Sequence, residues 1–136
     1  MNKKLLVNGL ILTIIFLGLS GCTETNNNIP NIDEPYINLE FWYCGECGLP
    51  QKVKPEIMDI IKEEEPYKSA IEFTYIDIYA TQTNEDQYNT IRKRPDIDGS
   101  YCFLILSNDT AETVFKFTMD TTIGETKTAL DEFIKE

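Results

Sequence analysis

The chain has 136 residues with four cysteines and no histidine, and 23 acidic against 12 basic side chains leave a formal charge of −11. Without imidazole, mechanisms that need a histidine base or ligand are excluded. The acidic excess argues against nucleic acid as a partner and against attraction to an anionic bilayer. The acids are spread out, with one short run at Glu63–Glu65, as on a solvated surface.

Met1–Gly21 reads MNKKLLVNGLILTIIFLGLSG, with Lys3 and Lys4 ahead of an apolar run from Leu5 to Leu19. That is the pattern of a secretory signal. The run is ~15 residues, short of the ~20 a comfortable membrane span needs. Leu19-Ser20-Gly21-Cys22 resembles the lipobox of exported prokaryotic lipoproteins. The resemblance implies a leader over residues 1–21, lipidation at Cys22 and a mature chain beginning there. It also implies attachment to the cell membrane on its extracytoplasmic face. A retained transmembrane helix is the alternative, with the same sidedness. One acyl chain binds only marginally, so firm anchoring takes more than one. Loss of the two leader lysines takes the net charge from −11 to −13.

Residues 22–35 are polar, rich in Asn and Pro and without periodicity, and form a linker. The domain is expected over residues 36–136. Tyr36–Tyr43 (YINLEFWY) is aromatic and β-branched, as in a buried strand. Cys44 and Cys47 follow at once. Pro55 starts or bends a helix, and Val53, Ile57, Ile60 and Ile61 recur at helical spacing up to Pro66. Ile71–Tyr79 is a second strand. Asn84–Lys93 is a short helix, capped by Asn84 and ended by Pro95. Tyr101–Leu106 (YCFLIL) has the continuous apolar character of a central strand covered on both faces. Ser107–Thr110 turns the chain into a last strand, Thr113–Thr118. Glu125–Glu136 sets Leu130, Phe133 and Ile134 on one face of a final helix. The order βαβαββα predicts an α/β domain, a mixed four-stranded sheet with helices on both faces.

The junction Glu40-Phe41-Trp42-Tyr43-Cys44-Gly45-Glu46-Cys47 resembles the thioredoxin family, in which an acid-Phe-Trp run precedes a CxxC at the start of a helix. Tyr75–Ile78 (YIDI) resembles the family's second strand, which often carries an aspartate at the Asp77 position. The element order is the family's minimal fold and spans about Tyr36–Glu136. The connection between Trp42 and the CxxC is two residues shorter here. The resemblance implies thiol–disulfide exchange on protein thiols and disulfides, an unnamed redox partner and no cofactor. It makes Cys44 the exposed attacking thiolate and Cys47 the shielded resolving thiol. Glu40 becomes a buried proton relay. Trp42, Tyr43, Gly45, Glu46 and Tyr101 become the substrate surface. Where the family has a cis-proline facing the CxxC, this chain has Asp98-Gly99-Ser100-Tyr101-Cys102.

A thiol at a helix N-terminus meets unpaired N–H groups and the positive end of the dipole, and both favour thiolate. Glu46 beside it opposes that effect, which suits a moderate redox potential. Gly45 lets the backbone turn tightly. Cys102 is either a third reactive sulfur or, as free cysteines usually are, a small buried hydrophobe. Asp96–Ser100 opens like a calcium loop but lacks the twelfth-position glutamate and is read as a polar turn. Asn108-Asp109-Thr110 is a glycosylation sequon. The alternative function is a non-catalytic binding lipoprotein of the same fold, its CxxC a fixed disulfide or a metal site shared with Cys102 or a second chain. Three thiolates would still lack a fourth ligand.

Overall fold

A computed structural model of the chain describes residues 35–135. The leader, Cys22 and nearly all of the linker lie outside the described residues. Strand β1, Ile37–Tyr43, buries Ile37, Leu39 and Phe41 on one face of the sheet and Trp42 on the other. It pairs in parallel with β2, Ile71–Asp77, in a register running from Ile37↔Ile71 to Tyr43↔Asp77. Its other edge pairs antiparallel with β3, Cys102–Ser107, from Tyr43↔Cys102 to Asn38↔Ser107. β3 pairs antiparallel with β4, Glu112–Lys116. The order β2-β1-β3-β4 puts β1 and β3 inside the sheet. Accordingly every residue of β3 from Cys102 to Leu106 is buried.

Helix α1 is a continuous helical run from Gly48 to Ile61 in three segments: α over Gly48–Val53, π over Lys54–Met58 and α again over Asp59–Ile61. Pro55 causes the change. It has no N–H to give the Gln51 carbonyl, and its ring crowds that carbonyl, so the helix widens there instead of ending. The helix therefore begins seven residues before Pro55. A short helix not foreseen from the pattern, α2 (Tyr67–Ala70), follows Pro66 and buries Tyr67 and Ala70. Helix α3 is Gln82–Ile91, and its cap is Thr81 rather than Asn84. Thr81 Oγ1 accepts the Asn84 N–H at 3.1 Å, while the Asn84 side-chain amide donates to the Asp77 carbonyl at 2.9 Å. Helix α4, Ile123–Ile134, starts with a capping box: Thr122 Oγ1 accepts the Glu125 N–H (3.2 Å) and Glu125 Oε2 accepts the Thr122 N–H (2.8 Å).

Two cores result. The larger packs Leu39, Phe41, Cys102, Leu104 and Leu106 against residues of α1, α2 and α4. The smaller, on the opposite face, joins Trp42, Phe103 and Ile105 to Ile78, Ile97 and Tyr88 of α3. Tyr88 is the one buried residue of α3, and its hydroxyl lies 3.1 Å from both the Gly99 and Ser100 carbonyls. Those carbonyls belong to the loop entering β3, where Asp98 (φ 49°) and Gly99 (φ 70°) take left-handed conformations. At the β3–β4 turn, Asn108 Oδ1 accepts the N–H groups of Thr110 (2.9 Å) and Ala111 (2.8 Å).

Candidate redox site

Cys44 and Cys47 form a disulfide with Cα atoms 5.3 Å apart. Cys44 directly follows β1 and is held by backbone on every side. Its N–H donates to the Tyr101 carbonyl at 3.1 Å, and its own carbonyl accepts the Cys47 N–H at 3.0 Å. The Tyr43 carbonyl just before it accepts the Ile78 N–H at 2.8 Å. Cys47 is the N-cap of α1, in extended conformation, and its side chain makes no capping hydrogen bond.

As whole residues, the two cysteines are exposed in the opposite order to the sequence expectation. Cys44 is 4% exposed, while Cys47 is only partly buried. The short connection is the reason. No loop separates β1 from Cys44, so this residue stays under the end of the sheet, and Cys47 is the one at the helix start.

Gly45 N–H donates to Asp77 Oδ1 at 3.2 Å, and the same oxygen accepts the Tyr79 N–H at 3.2 Å. A Cβ on Gly45 would fall against Asp77 Oδ2, with Cγ only 3.2 Å away. Asp77 is thus part of the site, although the strand pattern alone did not place it there. The signal was available. β1 and β2 are parallel, so the ends of both strands meet at the same edge of the sheet, where α/β folds open their crevices. Cys44, Gly45, Glu46, Cys47, Asp77 and Tyr79 line an open depression of about 490 Å³.

Tyr101 lies beside this depression, 40% exposed, with its ring 5.4 Å from that of Tyr88 and the Arg92 guanidinium 5.8 Å from its centroid. Tyr79 is 53% exposed. Its phenol is pushed up by desolvation and then by the neighbouring Tyr101. Trp42 does not join them. It is 4% exposed and stacks on Phe103 in the smaller core, ring centroids 6.3 Å apart. Tyr43 points to the other face of the sheet, as alternation requires, and stacks on Phe41 at 5.1 Å. Of the expected substrate surface, Gly45 and Glu46 line this depression, Tyr101 stands next to it, Trp42 lies in the smaller core, and Tyr43 lines a second depression with Gly45.

Glu40 was expected beneath the sulfurs as a relay. Its Oε2 instead accepts the Trp42 indole N–H at 2.8 Å, because two residues on, along a strand, is the same face. Cys102 is 1% exposed in the larger core, and burial pushes its thiol up to about 12. It behaves as a core hydrophobe. The Asp98–Tyr101 loop, where the resemblance implied a proline in the family, meets the CxxC through the Tyr101 carbonyl, which accepts the Cys44 N–H. Among the described residues the cis peptide bond is Glu65–Pro66, on another connection. Among the described residues no three Cys, Asp or Glu side chains are grouped as metal ligands.

No family model and no curated protein matches the sequence. Solved structures do. One is a malarial protein, 12% identical, covering 71% of this chain and 94% of that one with a TM-score of 0.53. Another is human ERp44, 17% identical, covering 82% of this chain and 32% of that one with a TM-score of 0.51. A third is Fasciola hepatica thioredoxin, 18% identical, covering 77% and 84% with a TM-score of 0.46. At such identities the likeness speaks to fold alone. With the first two superpositions, the order β2-β1-β3-β4, a helix between the two parallel strands and a hairpin before the last helix identify a thioredoxin-like fold with a CxxC disulfide at the end of its first strand.

Proposed function

We propose that the protein is a thiol–disulfide oxidoreductase that cycles Cys44 and Cys47 between dithiol and disulfide, held outside the cytoplasm by a lipid on Cys22. The observation that carries the proposal is the position of the pair. A disulfide of adjacent-turn cysteines bridges a strand end and a helix start and opens on a surface depression. That is a setting in which thiolate is favoured and a partner can approach. Protein thiols and disulfides are the substrates, met by the rim of Gly45, Glu46, Tyr79 and Tyr101. Glu40 holds the Trp42 indole in the smaller core, on the strand that delivers Cys44.

The mature chain equilibrated with glutathione should show a reduction potential between about −300 and −120 mV, the span of redox enzymes. It should also reduce insulin, and Cys44→Ser or Cys47→Ser should abolish turnover. The burial of Cys44 favours a second function, a binding lipoprotein whose disulfide is a fixed staple. A potential far below that span with no turnover would establish it. A metal site shared with Cys102 draws no support from that residue's place in the core.

A further inference from the structure

Resting on the redox function above, we infer that Cys47, not Cys44, is the attacking thiol, and that Cys44 resolves the mixed disulfide. This is the reverse of the order the family resemblance implied. Access comes first. Thiol–disulfide exchange needs the incoming sulfur in line with the bond being broken, so an attacking sulfur must meet a protein partner at the surface. Both cysteines line the depression, but Cys44 is 4% exposed and tied to Tyr101 and Cys47 through its own backbone, whereas Cys47 is only partly buried.

Charge points the same way. Cys47 caps the helical run Gly48–Ile61, and its side chain is free of any capping bond. Pro50 stands at the third helical position and has no N–H, so the first-turn donors near the cap are Gly48 and Leu49. A thiolate on Cys47 is placed to take them. Each cysteine has a carboxylate near it, Asp77 held on Gly45 beside Cys44 and Glu46 directly before Cys47, so these charges do not separate the two thiols and the helix end does.

The steps balance. The Cys47 thiolate attacks a substrate disulfide, the Cys47–substrate S–S bond forms, and the first substrate sulfur leaves as thiolate. Cys44, deprotonated, then attacks Cys47 Sγ. The Cys44–Cys47 bond forms and the second substrate sulfur leaves. Two electrons pass from the pair to the substrate, and a dithiol reductant restores the pair by the reverse exchange.

The test uses the full chain in detergent, reduced and freed of reductant, with limiting iodoacetamide near neutral pH and peptide mass spectrometry. Cys47 should be labelled at least tenfold ahead of Cys44. Equal labelling, or Cys44 first, would overturn the assignment. Cys102 should stay unlabelled until denaturant is added, which certifies that the protein is folded. In a second arm, Cys44→Ser should form a stable adduct with 5,5′-dithiobis(2-nitrobenzoate), and Cys47→Ser should react at least tenfold more slowly. Adduct formation on Cys47→Ser at the rate of Cys44→Ser would also refute the claim. Neither arm depends on turnover. Loss of insulin reduction with the labelling order intact would therefore sink the oxidoreductase function and leave the ranking of the thiols standing.

Discussion

Replacing Gly45 with alanine tests the link between the CxxC loop and Asp77. The new Cβ would fall against Asp77 Oδ2, so the carboxylate must turn away. The steric part is small, because that carboxylate is the end of a flexible side chain. The cost is the loss of two hydrogen bonds, from Gly45 N–H and Tyr79 N–H, each 3.2 Å long. At about 0.5–1.5 kcal/mol each, they amount to about 1–3 kcal/mol. The backbone at Gly45 is not left-handed, so alanine also returns about 0.4–1 kcal/mol by restricting the unfolded chain. Gly45→Ala should therefore destabilise the oxidised domain by roughly 1 kcal/mol, within bounds of about 0 and 2.6. In an Asp77→Ala background the same change meets no carboxylate and should stabilise by about 0.4–1 kcal/mol. Urea unfolding of the four proteins, oxidised and at one pH, closes the cycle. A coupling energy indistinguishable from zero would refute the contact and remove Asp77 from the site.

Cys102 gives a pH effect. Burial raises its thiol from 9.0 to about 12, so below pH 9 it is protonated in both states and adds no pH dependence. Above that the unfolded chain loses the proton first, and stability should fall by about 1.4 kcal/mol per pH unit from this group. Urea titrations across the alkaline range should show a shallower fall for Cys102→Ala, and parallel curves would count against it. Thr122→Ala removes the capping box of α4 and should cost about 1 kcal/mol by urea unfolding. The Glu125 carboxyl is held below its ordinary value by the Thr122 N–H and hydroxyl. Its contribution is present above that value and lost on acidification, so the Thr122→Ala penalty should shrink below pH 4.5 and not grow. Glu40→Gln keeps an acceptor for the Trp42 indole and should leave the rate and pH profile of exchange within about twofold, a change worth ~0.4 kcal/mol. A tenfold loss with a shifted profile would return Glu40 to the relay role. In the producing cell, Cys22→Ser should abolish acyl labelling and membrane retention, and a lipid still found on the variant would defeat the anchoring proposal.

The strands were legible because their burial is periodic or continuous. YCFLIL reads as a central strand, and β3 is buried from Cys102 to Leu106. Helix starts were less legible, since caps compete within a few residues. Thr81 and Asn84 are both good capping residues, and only the tertiary bond from Asn84 to the Asp77 carbonyl decides between them. Pro55 was equally ambiguous as a start or a bend. Local sequence could not reveal that Gly48–Val53 had already formed the helix that bends there. At the site, the resemblance of the strand–CxxC–helix junction implied the redox pair, but the exposure of each cysteine depends on how soon the strand delivers the first one. Asp77 was legible only through pairing, because its nearness to Gly45 comes from parallel register and not from any short motif.

The unequal cores have a dynamic consequence for the sulfur that the sheet hides. One face is clamped by α1, α2 and α4, whereas α3 grips the other through buried Tyr88 with Ile91 half-buried beside it. Thinly anchored elements open at lower free energy than the global transition. The Tyr88 hydroxyl latches the Gly99 and Ser100 carbonyls, and the next residue, Tyr101, holds the Cys44 N–H. Breathing of α3 would slacken that latch first and leave the clamped face intact. The amide protons of α3 and the Cys44 sulfur in the reduced protein are then gated by one opening event, with a common protection factor set by how firmly Tyr88 and its few α3 neighbours hold a loop.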